Sequence, residues 1–264
     1  MNPAVPARVV RAEWIKLWSV RSTYIVLILA VTLGLGVGWL DIASTASHWA
    51  TMAPADRASF DPVADSFIGF QYAELAFAAL GVLVGTTEYA TGTIRVSLTA
   101  VPDRRRLYAA KAVVLGGLIL VLCEICAFAA FLVAQVLLRE PGLGVGIGDS
   151  HVIRAVICTG VYLAIVTMVG FGLGTAIRHT AGALAAVFGL VFLAWPLARA
   201  LEGVSYVPDR WLLVNAGDAL AATHSTVGPH AQRAPSVGLA AIVLASYLLA
   251  FLSAGAWRAT RDAK

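Results

Sequence analysis

The chain has 264 residues, 59% of them apolar and only 13% charged, with a formal net charge of +4. Soluble domains run about 45–50% apolar and about 25% charged. This composition, with a mean hydropathy of +0.82, therefore excludes a secreted disulfide scaffold, a disordered chain and an ordinary cytosolic enzyme. A bilayer core about 30 Å thick needs ~20 apolar residues of helix, and blocks of that length recur along the whole sequence. The expectation is an all-α integral membrane protein in which residues 1–264 form one transmembrane domain.

The segment Arg8–Arg21 reads as an interfacial helix. Val10, Trp14, Leu17 and Trp18 recur at i, i+4, i+7 and i+8, while Arg8, Arg11, Ala12, Lys16 and Ser19 take much of the opposite arc, with Ile15 among them. Tryptophan above cationic side chains suits the headgroup layer. The alternative is a basic flank that merely obeys the positive-inside rule. The first apolar block, Thr23–Leu40, continues through Gly34, Gly36, Gly38 and Trp39, unlike a signal peptide with a short apolar stretch and a cleavage site.

The second block, Phe67–Thr86, contains Glu74 about two turns from its start. Then comes Glu88–Leu107, EYATGTIRVSLTAVPDRRRL. Gly92 loosens the exit from the span, Thr91 or Thr93 suits a helix cap, Pro102 stops the short helix and Asp103 suits the cap of the next. Either this stretch is a rigid knob presented to a partner, or it is a solvated basic loop.

The third block, Ala109–Leu138, contains Cys123, Glu124 and Cys126. The C-x-x-C spacing suggests metal or redox chemistry in a soluble protein. Here no second pair exists and apolar residues flank the motif, which favours small buried side chains. A mid-bilayer charge costs at least ~2.5–3.5 kcal/mol. Glu124 is therefore either a pathway group or a carboxyl fixed by packing, and Glu74, nearer the headgroups, reads as a packing carboxyl. Gln135, Thr167 and Tyr162 are possible hydrogen-bond partners.

The fourth and fifth blocks, Val152–Ile177 and Ala181–Leu197, are separated only by Arg178, His179 and Thr180. The segment Ala198–Ser236 follows. It has a helix-start signal in Val207–Val214, apolar residues to Ala222 and a break at Gly228–Pro229, which fits two short helices dipping into the outer leaflet. His224 and His230 match no metal-ligand spacing. The sixth block is Val237–Trp257, and residues 258–264 form the tail. Gly34/Gly38, Gly81/Gly85 and Gly170/Gly174 have the small-x-x-x-small spacing of close helix packing, most often within one chain.

Thirteen of the nineteen basic residues fall in the N-terminal segment, the second–third connection, the Arg178 hairpin and the tail. Asp41, Asp56, Asp61 and Asp65 crowd the first outer loop. Both termini are therefore expected in the cytoplasm. The three lysines, Lys16, Lys111 and Lys264, are not preceded by glycine, so the chain has no P-loop. It has no His-Glu-x-x-His either and no Gly-x-Ser-x-Gly, so an enzyme is not expected.

Two stretches resemble the permease subunits of ABC-2 type transporters, in the short actinobacterial style. The first is Ala12–Thr23, AEWIKLWSVRST, with Glu13, Trp14, Lys16 and Arg21; Trp18 stands where the family often has a basic residue. The second is Glu88-Tyr89-x-Thr91-Gly92-Thr93-Ile94-Arg95, then Pro102 with its arginines and Lys111. Six spans, cytoplasmic termini and a long segment before the last span are similar as well.

The resemblance implies an interfacial connecting helix at Arg8–Arg21. It implies a coupling helix from about Thr91 to Ala100, with Glu88, Gly92, Thr93, Arg95 and Pro102 as matching residues, and outer re-entrant helices at Val207–Ala222. It further implies a bacterial plasma-membrane exporter of hydrophobic, peptide or drug-like cargo. Such a subunit works with a second permease copy or homologue and a separate ATP-binding subunit that carries ATP and Mg. No cofactor, metal or nucleic acid is expected on this chain. Two other readings stay open: a proton-coupled secondary transporter using Glu124, and a non-transporting membrane anchor.

Overall fold

The computed structural model describes residues 4–94, 99, 103–140, 142–148, 150–201, 211–221 and 235–261. Among them every regular element is helical. Helix α1 is Ala4–Ser19, α2 is Arg21–His48 and α3 is Pro54–Ser59. Helix α4 is Ile68–Ala90, α5 is Arg104–Leu137 and α6 is Ser150–Ile177. Helices α7 (Thr180–Phe188) and α8 (Ala194–Leu201) flank a π-helical turn at Gly189–Leu193, and α9 (Leu213–Ala221) and α10 (Val237–Arg261) complete the set.

Five helices are long and apolar enough to cross a membrane: Arg21–Thr51, Asp65–Ala90, Arg104–Leu137, His151–Ile177 and Val237–Arg261. They match five of the six expected blocks and run further at several ends. The 34 residues of α5 span about 50 Å at 1.5 Å per residue. The fifth expected block, Ala181–Leu197, is helical throughout but passes through the π turn, and its apolar helix, Thr180–Leu193, is shorter than the five span-length ones. Pro196 supplies the cause: its ring conflicts with the carbonyl one turn earlier and it has no N–H to donate, and a π bulge relieves such a conflict. The re-entrant pair expected at Val207–Ala222 lies partly outside the described residues. The part described is α9, with Leu213, Ala216, Gly217 and Leu220 buried.

The centre of the bundle is the α4–α6 pair, the most buried of the long helices. Gly81 and Gly85 meet Thr167, Phe171 and Thr175, while Gly170 and Gly174 meet Ala78 and Val82. A Cβ on Gly174 would stand 2.7 Å from the Val82 carbonyl oxygen, and one on Gly85 would stand 2.8 Å from that of Phe171. The two expected glycine spacings therefore face each other. The third does the same job elsewhere, since Gly34 and Gly38 of α2 seat Gly69 and Phe70 of α4. All three are used within the chain. Around this centre α2 packs on α4 and α5, α5 and α10 pack on α6, and α9 lies against α6 and α10. Phe77, Leu80, Leu115, Ile119, Phe131, Leu163 and Phe171 fill the main core.

Candidate functional site

The two family-like stretches come together at one end of the bundle. Helix α1 presents Val9, Glu13 and Leu17 inward at i, i+4 and i+8, and all three are buried. Of the residues on the expected apolar face, Leu17 turns into the protein. Val10, Trp14 and Trp18 are exposed, and Trp14, Trp18 and Tyr24 form an aromatic row with centroids 5.7 and 5.5 Å apart. The helix turns its glutamate inward because the cations that neutralise it lie there.

Glu13 is 3% exposed, and a buried carboxylate is tolerable only when paired. Lys16 Nζ lies 2.7 Å from Glu13 Oε1 and 3.0 Å from Glu88 Oε1. Lys111 Nζ lies 2.8 Å from Glu88 Oε2 and 3.9 Å from Glu13 Oε2. The four side chains thus alternate in sign around a closed ring with no net charge. They come from α1, the last turn of α4 and the second turn of α5. Burial lowers the pKa of Lys16, but hydrogen bonds and charge from Glu13 and Glu88 outweigh it and hold the ammonium above its ordinary value of 10.5.

Local sequence explains how the corners are positioned. Helix α4 ends at Ala90, and Gly92 then takes φ +72°, a left-handed conformation that suits glycine. Thr91 and Thr93 share a hydroxyl contact of 2.9 Å, and Ile94 packs on the cluster formed by Val9, Leu107 and Ala110. As expected, Asp103 caps α5: its carboxylate accepts from the N–H groups of Arg105 and Arg106 at 3.1 and 3.2 Å. Arg95, Ala100 and Pro102 of the expected coupling helix lie outside the described residues, as does the side chain of Arg8. Arg21 is exposed at the first position of α2.

Beside the ring, Arg178 forms a second junction that sequence reasoning registered only as one more cation. It adopts φ +60°, rare for a non-glycine residue. Its Nη2 donates to the Arg258 carbonyl at 2.8 Å, and its guanidinium lies 4.6 Å from the Tyr89 ring centroid. The Thr180 hydroxyl reaches that of Thr86 at 3.0 Å. The ends of α4, α6 and α10 and the start of α7 are thereby pinned together. A cation within a three-residue helical hairpin was the signal for this contact.

The two intramembrane carboxyls stand apart from the ring. Glu74 is buried and accepts a hydrogen bond from the Tyr162 hydroxyl. It lines a cavity of about 230 Å³ that Asp218 of α9 and Gln71 also line. Of the three suggested partners only Tyr162 serves a glutamate. Gln135 instead holds Pro62 and Val145, and Thr167 donates to Leu163 within its own helix. Glu124 packs against Gly160, where a Cβ would stand 2.6 Å from its carboxyl carbon. One oxygen of Glu124 is buried without a hydrogen-bond partner. The cysteines are free, and among the described residues no group of three His, Cys, Asp or Glu side chains is arranged to hold a metal.

Fold and site together define an all-helical, membrane-embedded protein with five span-length helices and a neutral charge ring at one end. No protein-family model matches the chain, and no curated protein matches it.

Proposed function

We propose that the chain is the permease subunit of an ATP-driven transporter of the ABC-2 type, coupled to a separate ATP-binding subunit. The observation that supports this most is the charge ring, because it joins the family-like stretches through Glu13, Lys16, Glu88 and Lys111. The connection between α4 and α5 is tied to this ring at both ends. A force on that connection therefore moves α1, α4 and α5 as one body, which is the mechanical requirement for transmitting ATP-driven motion to the spans. In this reading the ring faces the cytoplasm of a bacterial cell and the α7–α8 segment serves as the fifth span, with α10 as the sixth. Residues around α9 form the outer re-entrant element, and two permease chains enclose the route of a hydrophobic, peptide or drug-like exported cargo.

The test is co-purification with the ATPase encoded nearest to this chain's gene, combined with ATPase and transport assays in vesicles. Gly92→Val or Arg95→Ala is expected to abolish transport-stimulated ATPase activity while leaving membrane insertion intact. Unchanged stimulation in both variants rejects the reading. The unpartnered oxygen of Glu124 favours one rival, a proton-coupled carrier. That rival predicts transport that survives ATP depletion and is lost when the proton gradient collapses.

A further inference from the structure

A cavity of about 450 Å³ adjoins the charge ring, lined by the end of α1, the start of α2 and the last turns of α4. Its volume falls within the range of small-molecule sites. The lining is chemically divided. Leu17, Val20, Leu83 and Val84 are apolar, whereas Ser22, Thr23, Lys16 and Lys111 are donors.

Two independent features point to an anionic occupant. The first is the N-terminus of α2. Its capping position is Val20, in extended conformation and with no side-chain cap, so first-turn N–H groups at the positive end of a 28-residue helix lack a side-chain acceptor. The second is Thr23. It is 6% exposed and lines the cavity, and its hydroxyl has no hydrogen-bond partner among the described residues. The other cavity threonines differ, since Thr87 and Thr91 donate to carbonyls of α4. The Thr23 hydroxyl is thus the part of an otherwise buried side chain left open to the cavity, where it can donate to a ligand acceptor.

We propose that the cavity seats one membrane phospholipid, its phosphate against the α2 N-terminus, Ser22 and Thr23, and its upper acyl chain along Leu17, Val20, Leu83 and Val84. The location carries the choice of a lipid over a soluble phosphate. The cavity lies at the end of membrane-length helices, beside the aromatic row Trp14, Trp18 and Tyr24, where headgroups reside. Glu13 and Glu88 also line it, and the neutral ring favours a zwitterionic head over a multiply charged anion. The inference stands on the cavity alone and needs no ATPase partner.

The experiment is native mass spectrometry of the full chain, delipidated in detergent and then offered phosphatidylethanolamine, phosphatidylglycerol or inorganic phosphate. One phosphatidylethanolamine per chain is expected to be retained. The Ser22→Ala/Thr23→Val double variant, which conserves shape, should weaken retention about tenfold, and Val84→Trp should abolish it by filling the space. Circular dichroism checks that both variants keep wild-type helicity, and the double variant alone suffices if Val84→Trp misfolds. Equal retention by wild type and the double variant overturns the proposal. Displacement of the lipid by millimolar inorganic phosphate overturns the lipid as occupant.

Discussion

Glu13 shows how one side chain decides the docking of a whole helix. Its two oxygens meet two lysines, one from its own helix and one 98 positions further along the chain. Breaking a buried ion pair from one side leaves an uncompensated charge, at about 3 kcal/mol or more. Lys111→Gln is therefore expected to destabilise the protein by roughly that amount, and Lys111→Gln combined with Glu88→Gln should recover most of it. Denaturant unfolding in detergent measures the cycle, and additive losses would show that the pair is not coupled. Lys16 adds a pH signature. Its folded pKa lies above the ordinary 10.5, so its stabilising effect is complete below that value and disappears as pH rises through the folded value. The difference in melting temperature between wild type and Lys16→Met should be flat from neutral pH to about 10 and shrink above it.

At the scale of elements, packing is set by backbone proximity. The α4–α6 contact has glycine on both helices, each against the other's carbonyls, and in an apolar medium such closeness replaces the missing hydrophobic drive between helices. Gly81→Ala places a methyl group onto the Thr167 backbone and is expected to cost about 1–3 kcal/mol or more. Gly36→Ala, with nothing within 4 Å, should be neutral or slightly stabilising because alanine favours helix. Thermal unfolding of the two variants side by side decides it. Glu74 belongs to this scale too: its bond to Tyr162 ties α4 to α6 one to two turns beyond the glycine contact.

At the scale of the molecule, contacts divide the connections between two faces. The ring, Gly92, Arg178 and Arg258 share one end, through bonds that cross between helices. The Trp49–Phe67 region and residues 142–148 share the other, joined by Gln135 to Pro62 and Val145. With the ring end in the cytoplasm, as proposed, single cysteines at Thr91, His179 and Thr260, in a background without the three native cysteines, should all resist an impermeant maleimide added to intact cells. Cysteines at Ser59 and Leu143 should react. Mixed labelling within either group would contradict this division.

How much of this was legible follows from range. Composition and block length are properties of the chain itself, so the helical, membrane-embedded class, five span-length helices, the Asp103 cap and the glycine spacings were readable in advance. The fifth block was readable as helix, but its π turn was not, because hydropathy does not register the conflict between Pro196 and the preceding turn. Glu13, Lys16 and Glu88 stood out one by one, yet sequence pattern gave no means of joining positions 13, 16, 88 and 111 into one ring. It also did not reveal that Glu13 faces inward beside Val9 and Leu17, since apolar periodicity cannot anticipate a buried glutamate whose cation comes from another helix. The sequence by itself determined that this chain lives among lipids as helices, because apolar length and backbone hydrogen bonding allow nothing else there. Tertiary structure alone decided which charges neutralise one another and which hydroxyls are left facing a cavity, because Coulomb and hydrogen-bond partners are chosen by distance in space.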